Sequence, residues 1–143
     1  MPISKNLIQQ VHIQLSIHEQ DLLRIMLSAS GAINRMGDGS LEDSSPAFFM
    51  GRTEEPFFEE LMAAFLEDWL VNTGRYEFED RTGDTAHFSI TLSTETEETG
   101  FAFTYGTTSQ GPPEELVEWV SLAVELTQEW FDEQFARKKQ RRK

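Results

Sequence analysis

Val11-His12-Ile13-Gln14-Leu15-Ser16-Ile17 alternates apolar and polar side chains without a break. A period of two is what a strand with one face on a core needs, because successive side chains point to opposite faces. The next stretch, His18 to Asn34, reads His-Glu-Gln-Asp-Leu-Leu-Arg-Ile-Met-Leu-Ser-Ala-Ser-Gly-Ala-Ile-Asn. Here the period changes. Ser16 stands three residues before Glu19, the spacing of a capping box. Leu22, Ile25, Met26, Ala29 and Ile33 share one face of a 3.6-residue helix. The segment predicts a strand over 11–17 and then a helix that fades between Ser30 and Asn34, with Gly31 and Gly37 marking its end.

Downstream, residues 34–53 hold turn formers in their first half and Phe48, Phe49 and Met50 in their second. They predict a long connection that packs in part on the body. Thr53, Glu54, Glu55 and Pro56 read as an N-cap, two anions and a first-turn proline. Phe57, Phe58, Leu61, Met62, Phe65 and Trp69 then lie on one face, and Asn72-Thr73-Gly74 ends a second helix. Three alternating stretches follow, carrying Tyr76 and Phe78, then Phe88, Ile90 and Leu92, then Phe101, Phe103 and Tyr105. With turns at 81–84 and 95–100 they predict an antiparallel meander covered on one side. A stiff linker, Gly106 to Pro113, leads into a last helix ending near Phe135.

The resulting order is β-α-α-β-β-β-α. It predicts an α+β fold, a four-stranded antiparallel sheet with helices packed on one face. A length of 143 residues suits one domain, set at 1–135, with a basic, unstructured C-terminal tail at 136–143.

The chain has no cysteine. That removes disulfide scaffolds, thiolate zinc sites, iron–sulfur clusters and thiol catalysis. No signal peptide or membrane span is apparent, so a reduced, cytoplasmic setting is expected. Residues 1–135 carry all 25 acids against six bases, a net −19, while 136–143 carry six bases and no acid. Such a body repels nucleic acid and anionic membrane and attracts basic protein.

The last helix concentrates this charge. Leu116, Trp119, Val120, Ala123, Val124, Trp130 and Phe131 make its apolar face. Opposite them, Glu114, Glu118, Glu125, Glu129 and Asp132 fall in a stripe about 60° wide and roughly 27 Å long. Glu125 and Glu129 are a like-charge i,i+4 pair near the negative end of the macrodipole, against local preference. Clustering of that kind points to a basic partner, and carboxylates one turn apart, ~6 Å, approach the phosphate spacing of a nucleic-acid strand. In charge and size the chain resembles immunity proteins and DNA-mimic inhibitors; no sequence motif accompanies that likeness.

Other chemistry is thinly represented. His12 and His87 lie on polar strand faces without a placed carboxylate, so no metal or cofactor is expected. No nucleophile elbow, phosphate loop, dinucleotide fingerprint or His-Glu-x-x-His occurs. Asp38, Ser40, Glu42 and Asp43 are oxygen donors in a glycine-rich loop but miss the EF-hand spacing.

These readings converge on a small acidic, non-catalytic binding protein, inhibitor-like or immunity-like. It would dock on a basic, nucleic-acid-binding partner through Glu118, Glu125, Glu129 and Asp132. The alternative is an enzyme or small-ligand module built on the 34–53 loop and the 106–113 linker, with Arg35, Asp38 and Arg52 in its pocket. A second copy of the chain, held by aromatics such as Phe48 and Phe49, is a further candidate partner.

Overall fold

A computed structural model describes residues 5–17, 20–37, 47–77, 85–105 and 113–141. Among these residues seven strands form one sheet: β1 (Gln10–Ile17), β2 (Gln20–Ser28), β3 (Ala32–Met36), β4 (Phe48–Arg52), β5 (Gly74–Glu77), β6 (Ala86–Ser93) and β7 (Glu98–Tyr105). Their spatial order is β4-β3-β2-β1-β6-β7-β5. The first six pair antiparallel, and β5 closes one edge parallel to β7. Two α-helices, α1 (Phe57–Ala63) and α2 (Glu114–Arg141), join short 3-10 turns at Lys5–Leu7 and Glu67–Asn72. The α+β class stands. The four-stranded sheet and the predicted element order do not, because the chain runs β-β-β-β-α-β-β-β-α.

The largest correction falls on residues 20–36. The predicted first helix is a hairpin, β2 and β3. Leu22 through Leu27 is apolar at every position but Arg24, so helical and strand periods both fit it. What decides is the neighbour. β1, in mid-sheet, pairs Val11 with Leu27, Ile13 with Ile25 and Leu15 with Leu23. Leu23, Ile25 and Leu27 thereby join the core, and a tertiary partner overrides the helix propensity of Leu and Met. Gly31, read as a helix end, instead turns the hairpin at φ +94. The Thr53 N–H donates to the Gly31 carbonyl at 2.9 Å, and a Cβ at Gly31 would lie 2.8 Å from the Thr53 carbonyl oxygen. Glu19 of the expected capping box lies outside the described residues.

Part of the predicted 34–53 connection is strand. β3 and β4 pair in register from Ala32/Arg52 to Met36/Phe48. The second predicted helix is also shorter than expected. Thr53 does not cap it: its Oγ1 accepts from the Glu55 N–H at 3.1 Å, and α1 begins after Pro56 without a side-chain cap. Extended backbone at Leu66 separates α1 from the 3-10 turn. The apolar stripe still faces inward, with Phe58, Leu61, Met62 and Phe65 buried. Finally, the last three strands are not a meander, since β5 pairs with β7 and not with β6. Tyr76 stacks on Phe103, ring centroids 5.2 Å apart. The turn expected at 81–84 lies outside the described residues.

Both helices cover the same face of the sheet. The Trp119 indole N–H donates to the Leu61 carbonyl at 2.8 Å, tying α2 to α1 in the core. Phe65, Trp69 and Trp119 pack edge to face around that bond. At the far end, Phe49 of β4 packs against Phe131 and Phe135 of α2 at 5.7 and 5.1 Å. Gly51 leaves room for Trp130, whose ring a Cβ there would approach to 3.2 Å. α2 continues to Arg141, through residues expected as tail. Among the described residues, no helix is long and apolar enough to cross a membrane.

Candidate functional site

The apolar residues of α2 expected to face the core do so. Leu116, Trp119, Val120, Ala123, Trp130 and Phe131 are buried, and Val124 is half-buried. The opposite side is therefore forced outward. Glu114, Glu118, Glu125, Glu129 and Asp132 are all exposed. From Glu118 to Asp132 the row extends about 21 Å at 1.5 Å per residue. The one ion pair within 4 Å among the described residues is Arg24 with Asp21, on β2. Asp132 accepts from the Gln128 side-chain amide at 3.0 Å. The row thus remains a line of carboxylates facing solvent on a helix whose other side is clamped.

Beside this row a cleft of about 370 Å³ runs between α2 and the segment leading into α1. Glu129, Trp130, Glu133 and Arg137 line one wall, with Arg52 and Phe57 across from them. Arg52 is exposed and donates to the Ser30 carbonyl at 2.7 Å. It stands at this cleft, whose described lining does not include Arg35.

Arg35 departs furthest from expectation. It is fully buried. Its Nε–H donates to the Gly37 carbonyl at 2.9 Å, and its Nη1 to Thr127 Oγ1 at 2.9 Å and the Val124 carbonyl at 3.3 Å. Nη2 donates to Gln128 Oε1 at 3.1 Å, and the guanidinium sits 4.5 Å over the Phe131 ring. Arg35 is a pin between β3 and α2, so it is spoken for and offers nothing to a ligand. Its partner Thr127, also buried, went unnoticed in the sequence because a lone threonine in a helix carries no signal. Asp38 lies outside the described residues, as do Ser40, Glu42, Asp43 and most of the 106–113 linker. Tyr105, at the linker's edge, is on β7, four strand spacings or about 19 Å from β3. Burial raises the pKa of its phenol.

His12 and His87 do share the helix-free face of neighbouring strands. Ser16, not His12, is the partner of His87, which places the two imidazoles about 13 Å apart along the sheet. His87 Nδ1 instead lies 3.2 Å from Thr104 Oγ1. Among the described residues no group of three or more His, Asp or Glu is arranged to hold a metal ion. Compared with known proteins, the chain matches no family model and no curated protein.

Proposed function

We propose that this chain is a small, acidic, non-catalytic binding protein that docks on a basic protein through Glu118, Glu125, Glu129 and Asp132. The observation that carries this reading is the exposure of all four on one side of α2. The clamped helix backbone that carries the four carboxylates loses little freedom on binding, so the row holds a fixed spacing toward lysines and arginines. The local spacing resembles that of phosphates, which favours a partner whose own ligand is nucleic acid. A cysteine-free chain suits a reduced compartment such as cytoplasm.

The alternative, a ligand pocket built on Arg35, Asp38 and Arg52, loses support because Arg35 is consumed by α2. Capture from the source extract at low salt tests the proposal. A basic protein should elute as salt is raised, and Glu125→Lys/Glu129→Lys should fail to retain it. Glu59→Lys/Glu60→Lys on α1 should retain it. Equal retention by both charge reversals would overturn the reading.

A further inference from the structure

Neither α-helix touches the other face of the sheet, and there the register assembles a second set of polar groups. His12 of β1 sits opposite Met26 of β2, and Met26 opposite Asn34 of β3. Among the described residues, Gln10, Arg24 and Phe48 join them in lining a cavity of about 270 Å³. These residues come from four adjacent strands, so hydrogen-bonded sheet backbone fixes their spacing.

The chemistry of the lining is specific. Arg24 Nη2 donates to Asp21 Oδ2 at 3.0 Å, and the Gln14 amide holds Oδ1 of the same carboxylate at 2.9 Å. The one permanent cation among the described lining residues is thus already balanced. Burial, and next the Arg24 charge, lower the pKa of His12, with Glu98 pulling the other way, which favours the neutral imidazole. An anion would find no net positive charge here and would approach a chain of net −13. A cation would find no unbalanced negative charge in the lining either, since Asp21 is taken up by Arg24 and Gln14. The site suits an uncharged ligand.

What remains is hydrogen-bonding capacity. The side chains of Gln10, His12 and Asn34 each offer a donor and an acceptor, and none is hydrogen-bonded among the described residues. Arg24 Nε is buried and has no hydrogen-bond partner among the described residues. Phe48, 46% exposed, offers a ring face at one edge, and Met26 offers a polarisable thioether. The volume equals about nine waters at ~30 Å³ each, room for a bicyclic heterocycle with water beside it.

We infer that this cavity binds a neutral, planar hydrogen-bonding heterocycle of nucleobase size. Carboxamide side chains pair with the alternating donors and acceptors of such a ring, as Asn and Gln do with adenine, while Phe48 stacks on it. The inference is independent of the acidic row on α2, which lies on the opposite side of the sheet.

The test is a titration of the full chain, followed by amide and methyl NMR, with adenosine, adenosine monophosphate and benzoate as separate probes. Adenosine should shift signals of His12, Met26 and Asn34 and saturate. The monophosphate should bind several-fold more weakly. Phe48→Ala, at a half-exposed position on the edge strand β4, should weaken adenosine about tenfold, and Asn34→Ala should do likewise without altering the rest of the spectrum. Benzoate binding as tightly as adenosine would overturn the inference, as would shifts confined to α2, or no saturable shift with any probe.

Discussion

Arg35 Nη1 donates to Thr127 Oγ1 at 2.9 Å, and Thr127 passes the bond on to the Ala123 carbonyl at 2.8 Å. This relay joins the second strand from one sheet edge to the middle of a 28-residue helix. It fixes which side of α2 faces inward, and hence which side carries the carboxylates outward.

Breaking the relay should be costly. Thr127→Val keeps the shape and leaves an Arg35 N–H unpaired in the interior, at about 1–3 kcal/mol. Arg35→Met should cost about 2–4 kcal/mol through the bonds it strands on α2. Because the two residues share a bond, the double variant should lose less than the sum of the singles. Urea denaturation of all four proteins measures this. Strict additivity would show that the relay contributes no coupling.

Gly31→Ala should destabilise the β2–β3 hairpin. The backbone is at φ +94 and the new methyl would press on the Thr53 carbonyl, so a loss of about 1–3 kcal/mol is expected. Thermal unfolding of Gly31→Ala beside a surface control such as Glu95→Ala reads it directly. An unchanged melting temperature would mean that the turn has relaxed out of this geometry.

His12 gives the fold a pH dependence with a definite sign. Its folded pKa lies below the ordinary value near 6.5, so below that pH the unfolded chain binds the extra proton more readily. Stability from this residue is present above pH 6.5 and declines as the pH falls through the window beneath it. His12→Gln should flatten that part of the stability curve while leaving the acid limb due to carboxylates. Identical curves for the two proteins would remove His12 as the source.

Much of the α-helical surface was legible in the sequence, and little of the sheet's first half was. The 3.6-residue pattern from Leu116 to Phe131 holds because α2 is long enough to register its period many times over. β6 and β7 were legible through strict alternation at Phe88, Ile90 and Leu92 and at Phe101 and Phe103. Residues 22–27 were not, since an almost unbroken apolar run satisfies both periods, and only the pairing of Ile13 with Ile25 resolves it. The error carried over to function. Reading β2 as helix hid that Arg24 and Met26 share a face with His12. It also left Arg35 in a loop, where an arginine looks available to a ligand. In the sheet its alternate neighbour Ile33 is core, and Arg35 points the same way, into α2.

The carboxylate row is tested most directly by the association rate of the salt-eluted partner with immobilised chain, at low and physiological ionic strength, for wild type and Glu125→Lys/Glu129→Lys. Electrostatic docking predicts that raising the salt slows wild-type association about tenfold or more, and that the charge reversal slows it comparably at low salt. A rate indifferent to both changes would contradict docking through α2.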